Sequence, residues 1–193
     1  MKHRIEQVGM QLCRNGLLLA LCWLGVVAPG IARAATFPPG FTETVIPGPN
    51  AGSWNEAVGI TFDPAGRTFV WERAGRVWMK DTGATNFTQL LDISPEVGNW
   101  SDYGLTGFAV DPGFQTNGNI YLLYVVDRHY LLNFGTTNYN ANSNLTFAAT
   151  IGRVTRYTCT ASNNFRSVDL ASRFILIGDS KTNGFPIDRK SVV

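Results

Sequence analysis

Two stretches of the chain repeat each other 48 residues apart, and this repeat constrains the fold more than any other feature. Gly59-Ile-Thr-Phe-Asp63-Pro64 returns as Gly107-Phe-Ala-Val-Asp111-Pro112. Each copy then reaches a glycine followed by a β-type run: Gly66-Arg-Thr-Phe-Val in the first, Gly118-Asn-Ile-Tyr-Leu in the second. A third element matches as well, Gly75-Arg76-Val77 against Gly152-Arg153-Val154. The stretch ahead of it is 25 residues longer in the second copy and holds the Asn-rich segment 133–144. An insertion of that kind reads as a long loop on a repeated unit.

The repeated turn has a physical logic. Proline fixes φ, aspartate bonds the backbone ahead of it, and glycine admits positive φ, which together reverse the chain between adjacent strands. Short runs rich in Val, Ile, Phe, Tyr and Thr alternate with Gly, Pro, Asn and Asp turns, and no amphipathic helical stretch of useful length intervenes. Strands are expected at 42–46, 57–62, 67–72, 75–80, 87–93, 105–110, 119–126, 151–159 and 174–177. The fold class is therefore all-β. A β-sandwich also has many short strands, but it does not call for the same turn chemistry at a period near 48. A β-propeller does, with one blade at 57–93 and a second at 105–177 carrying an inserted loop at 127–149. Propellers close with roughly four to eight blades, so this chain accounts for the first two or so. Residues 187–193 start no third copy and read as a tail foreign to the repeat, leaving 35–186 as an incomplete propeller domain.

The first 34 residues stand apart. Lys2, Arg4 and Arg14 precede the apolar run 16–27, Pro29 and Gly30 break it, and Ala32-Arg33-Ala34 places small residues where signal peptidase needs them. A run of this length spans about 18 Å as a helix, well short of a hydrocarbon core of about 30 Å. The segment reads as a secretory signal, giving a secreted or periplasmic protein with no membrane span after cleavage. Its loss leaves 12 basic and 13 acidic side chains, so the basic balance of the whole sequence implies no nucleic-acid partner. Cys13 and Cys22 depart with it. Cys159 alone can form neither an internal disulfide nor a cysteine zinc site, and reads as a small apolar strand residue. Asn86, Asn99 and Asn144 sit in glycosylation sequons that matter only in a eukaryotic host.

The segments 59–79 (GITFDPAGRTFVWERAGRVWM), 104–126 (GLTGFAVDPGFQTNGNIYLLYVV) and 151–158 (IGRVTRYT) together resemble the glucose/sorbosone dehydrogenases. The similarity runs from Phe41 to Pro186, about the first third of that family's domain. It implies an exported six-bladed propeller that oxidises a sugar hydroxyl by hydride transfer to pyrroloquinoline quinone (PQQ), with calcium, a histidine base and an external electron acceptor. In the family the base lies in the next blade and the quinone and calcium ligands lie further on. The resemblance thus implies no catalytic, cofactor-binding or metal-binding residue within this chain. One position carries over: where the family has Glu or Gln near the sugar, two residues before Gly-Leu-x-Gly, this chain has Asp102. A shorter acid there also suits a solvated turn. A non-catalytic propeller of the same family, binding protein or carbohydrate, is the alternative function.

Other candidates have plainer readings. Trp100, in a loop near Asp102, is the one tryptophan placed for ligand contact; Trp71 and Trp78 suit packing between blades. His129 opens the inserted loop, off the repeat positions, and reads as a surface histidine. Asp81-Thr82-Gly83 matches an aspartic-protease tripeptide but lacks a second copy, and reads as a β-turn. Glu72 and Arg73 suit a buried, paired role. The signal reading has a direct test: in an exporting host, mass spectrometry of the released protein is expected to find Ala35 at the amino terminus. A product that retains the segment 16–27 would overturn it.

Overall fold

Asp63 and Asp111 show why the repeat folds as it does. In the computed structural model, which describes residues 37–179 and the strand Phe185–Ile187, each aspartate closes a turn between two antiparallel strands. Asp63 Oδ1 accepts from the backbone N–H of Ala65 and of Arg67, both at 2.9 Å. Asp111 Oδ1 accepts from Gly113 N–H at 2.8 Å and from the Asn117 amide at 2.9 Å. Gly66 and Gly118 end these turns at φ of +79° and +66°, a region that other residues enter only with strain. The second turn is longer and winds through one helical turn, α1 (Phe114–Asn117).

The chain divides into two units, Met1–Thr44 and Val45–Val193. In the first, residues 37–44 are described and carry no helix or strand; the signal reading otherwise lies outside the described residues. Residues 42–46 were expected to form a strand and do not. Val45 is 79% exposed. A β-prone run becomes a strand only when an edge pairs with it, and none does so among the described residues.

The second unit holds two four-stranded antiparallel sheets with strands in sequential order, the meander of propeller blades. The first is β1 (Ala57–Phe62), β2 (Thr68–Glu72), β3 (Arg76–Lys80) and β4 (Thr88–Asp92). The second is β5 (Leu105–Val110), β6 (Asn119–Val125), β7 (Thr150–Cys159) and β8 (Val168–Ile177). A short β9 (Phe185–Ile187) pairs with the start of β7, extending the edge that β8 leaves. Both sheets carry a bulge at the same repeat position, between Ala57 and Gly59 and between Leu105 and Gly107. A Cβ on Gly59 would lie 2.2 Å from the Trp71 ring across the ladder, so glycine is needed there.

β8 starts earlier than its apolar pattern suggests, because Asp169, Ala171 and Ser172 interrupt the alternation. A register shift between Arg156 and Thr158 accommodates them, with Ser172 Oγ accepting from Thr158 N–H at 2.8 Å.

The main core lies between the sheets. Phe69 and Trp71 of β2 meet Phe108 of β5 at ring separations of 5.8 and 5.6 Å, and Phe69 packs edge-on to Phe114. Val77, Met79 and Leu91 close it from one side; Leu105, Ile120, Leu122 and Tyr124 close it from the other. Trp71 therefore packs between blades as expected. Trp78 does not: it pairs with Val70, on the face of the first sheet turned away from this core.

Cys159, at the end of β7, is buried. Burial, opposed by the charge of Arg67, pushes its thiol up to about 12. At neutral pH Cys159 is expected to resist alkylation in the folded chain and to react once the chain is unfolded in urea, read by peptide mapping. Rapid labelling of the folded chain would show this end of β7 to be open.

Candidate functional site

The connections divide between two ends of the sheets. At one end lie the turns 63–67, 81–87, 111–118 and 160–167; at the other lie 73–75, the inter-blade connection 93–104 and the inserted loop 126–149. The turn end is stitched by charge. Arg67 bonds Asp63 at 2.6 Å and the Asn164 carbonyl at 3.0 Å, while Arg166 pairs with Asp81 at 2.6 Å. Asp81-Thr82-Gly83 is a turn, as its sequence suggested, with Ala84 N–H donating to the Asp81 carbonyl.

The other end holds the site. Its foundation is Glu96, a buried carboxylate on the connection 93–104. Glu96 Oε1 accepts from Tyr124 Oη at 2.6 Å, from Arg153 Nη1 at 2.6 Å and from Arg173 Nη2. Arg153 also donates to the Gly178 carbonyl, and Arg173 to Tyr130 Oη at 3.3 Å. Burial first, then the charge and hydrogen bond of Glu96, hold the Tyr124 hydroxyl well above its ordinary pKa. Backbone bonds complete the joint: Asp127 N–H donates to the Glu96 carbonyl and Gly98 N–H to the Val125 carbonyl.

The inserted loop is ordered by two side chains. Asp127 caps α2 (Arg128–Asn133), accepting Tyr130 N–H at 3.0 Å, and its second oxygen takes Leu145 N–H at 3.1 Å. One carboxylate thus pins both arms of the loop. His129 is half-buried within it, a correction to the surface reading. Its Nε2 accepts Asn140 N–H at 3.1 Å and its ring stacks on Tyr139. Both contacts are made inside the loop, so His129 helps to order it.

Between the two connections lies a cleft of about 260 Å³, walled by Ser94, Asn99 and Trp100 on one side and by Asp127, Asn142 and Asn144 among others. Trp100 is buried, packs edge-on to Tyr103 at 5.2 Å, and forms with Tyr103 and Val125 a small second core. It is a wall of the cleft rather than an open stacking platform. Asp102 is exposed, makes no hydrogen bond or ion pair among the described residues, and does not line the cleft. The two substrate-side candidates, Trp100 and Asp102, are thus not brought to one pocket. Glu72 and Arg73 are paired, though not with each other. Glu72 is buried and accepts Asn55 N–H at 2.7 Å, while Arg73 pairs with Glu56 at 2.6 Å and reaches the Ser101 carbonyl.

Chemically, the cleft wall offers mainly hydrogen-bonding groups. The only carboxylate in the cleft wall, Asp127, has both oxygens taken by backbone N–H groups. Among the described residues no group of three or more His, Cys, Asp or Glu side chains gathers to hold a metal ion. No described helix is long and apolar enough to cross a membrane.

A family model, glucose/sorbosone dehydrogenase, matches residues 54–167, which cover both sheets up to the last strand. Among solved structures, the chain is similar to the PQQ-bound form of aldose sugar dehydrogenase from Streptomyces coelicolor. That likeness has 17% identity and a TM-score of 0.43, covering 75% of this chain and 31% of that one. The chain therefore spans about a third of that relative's length. No curated protein matches it.

Glu96→Gln would leave two guanidiniums around a neutral amide. The expected loss is about 3 kcal/mol, read by urea unfolding, since removing one partner strands buried charge. A loss below about 1 kcal/mol, the size of an exposed pair, would show that the carboxylate is not the tie. Stability is also expected to fall as pH rises above 10, the ordinary tyrosine value, because the raised pKa of Tyr124 stabilises the fold only while its phenol stays protonated.

Proposed function

The chain belongs to the glucose/sorbosone dehydrogenase family, and on that premise we propose that it is the amino-terminal part of an exported PQQ-dependent sugar dehydrogenase. The observation that carries this reading is the family match over 54–167, which embraces the repeated Asp-Pro turns, the first sheet and the second sheet as far as β7. In such an enzyme the quinone, held with calcium, would take hydride from a sugar carbon and pass electrons to an external acceptor.

Few of the charged residues described at the loop end are free for that cofactor. The quinone's carboxylates need free cations, and of the arginines described at the loop end only Arg128 makes no hydrogen bond or ion pair. Arg73 is paired with Glu56, and Arg153 and Arg173 are both bound to Glu96. For calcium, Asp127 and Glu96 are already bonded, Asp102 is a single exposed carboxylate, and no group of three or more His, Cys, Asp or Glu side chains gathers among the described residues. No step of the oxidation is therefore assigned to this chain. Its contribution is architectural: two blades, and a loop end that presents Asp102 beside the cleft wall.

Dye-linked aldose oxidation with added quinone and calcium tests the proposal, run on this chain and on the product of the reading frame extended beyond Val193. Turnover by the extended product alone is the expected result. If neither turns over, the reading passes to a non-catalytic binding propeller; turnover by this chain alone would overturn the assignment of the chemistry to later blades.

A further inference from the structure

The interface between the two sheets joins unlike faces. The first sheet brings Phe69, Trp71 and Val77 to it, and the second brings Phe108 and Leu122. Through the repeat, each of these positions has a counterpart in the other sheet, on the side turned away from the interface. Ile60 and Val70 stand where Phe108 and Leu122 do; Tyr121, Leu123 and Val154 stand where Phe69, Trp71 and Val77 do. The ladders set Ile60 beside Val70 and Trp78, and Leu123 beside Val154 and Ile177, so each set shares one face. Ile60 and Leu123 are exposed. The chain therefore presents both halves of its own interface a second time.

The open halves also fit in detail. Beside Ile60 the free face holds a groove of about 250 Å³, lined by Ile46, Trp54, Val58 and Val70. In the formed interface the rings of Trp71 and Phe108 meet at 5.6 Å. The counterpart of that contact sets Leu123 against Ile60, at the groove. Two counterparts turn charged: Lys80 stands where Tyr157 does, and Arg156 where Met79 does. Each lies over an aromatic ring, Lys80 over Phe87 and Arg156 over Phe174, both at 5.2 Å. They bring like charges to the same junction, which salt screens.

We propose that these faces are covered by further copies of this chain: the Leu123 face of one copy receives the Ile60 face of the next, as its own two blades meet. Such a head-to-tail contact leaves one free face at each end, and copies add until the ring closes. Propellers close at roughly four to eight blades, which is about two to four copies. The proposal rests on the match between open and formed faces, and does not require that the protein oxidise anything.

Sedimentation velocity on the purified chain at roughly micromolar concentration tests it. One species of about two to four copies is expected, holding or tightening as salt is raised. Ile60→Asp and Leu123→Asp each place an unpaired charge in the junction, and each variant alone is expected to associate at least roughly a hundredfold more weakly. Mixed in equal amounts, the two variants are expected to form a one-to-one pair and nothing larger, because each supplies the face that the other retains. Circular dichroism checks folding; Phe62→Asp and Phe174→Asp replace any variant that does not fold. A monomeric unmodified chain would overturn the proposal, as would a size that keeps growing with concentration or dissociation by salt. Single variants that assemble like the unmodified chain, or a mixture that stays monomeric, would overturn it too.

Discussion

One buried carboxylate organises the loop end of this protein. Glu96 lies on the inter-blade connection, yet its partners belong to β6, β7 and β8. Two positive charges and a phenol converge on its Oε1, in surroundings where an unpaired ion would cost several kcal/mol. Moving the connection would break all of these contacts together. That dependence fixes Gly98 against Val125, seats Trp100 beside Tyr103, and sets the wall of the cleft. The geometry of the candidate site is thus a consequence of one ionic joint between blades.

The two blades solve the same backbone problem with different side chains. Asp63 gives its second oxygen to Arg67, whereas Asp111 gives the equivalent oxygen to Tyr121 Oη at 2.8 Å. Asp111 is accordingly held below the ordinary carboxylate range, chiefly by Asn117 and Tyr121. Arg76 pairs with Asp92 of its own sheet, while its counterpart Arg153 turns to Glu96 from the neighbouring connection. The repeat preserves turn, bulge and strand register. The charged partners differ, and that difference is what distinguishes the two blades chemically.

This division explains what the sequence makes legible. The Asp-Pro-Gly turns, the paired glycines at the bulges and most strand positions depend on neighbours a few residues away, so spacing reveals them. Glu96 carries no such signal, because its arginines lie 57 and 77 residues further on. Of those arginines only Arg153 stood in a matched element, and Arg173 lies just ahead of the apolar run 174–177. The segment 42–46 shows the opposite failure, β-prone composition without an edge to pair with. Trp100 and Asp102 are two residues apart, yet one is buried and the other exposed, a separation that adjacency in sequence conceals.

The repeat also explains the apolar surface that remains. Phe69 and Trp71 of the first blade pack on Phe108 of the second. In the ladder registers, Ile60 is the counterpart of Phe108, and Tyr121 and Leu123 are the counterparts of Phe69 and Trp71. Ile60 is 44% exposed and Leu123 is 41% exposed. Each free face therefore carries the residues that form the existing interface in the other copy, one face matching its donor half and the other its acceptor half. Val58 and Phe62 on β1, and Phe174 and Leu176 on β8, widen these faces well beyond scattered surface apolars. A sheet that buries one face and leaves the other apolar is suited to stacking at both sides, the condition a propeller blade meets. The interface that is formed thus serves as the template for the two that are open.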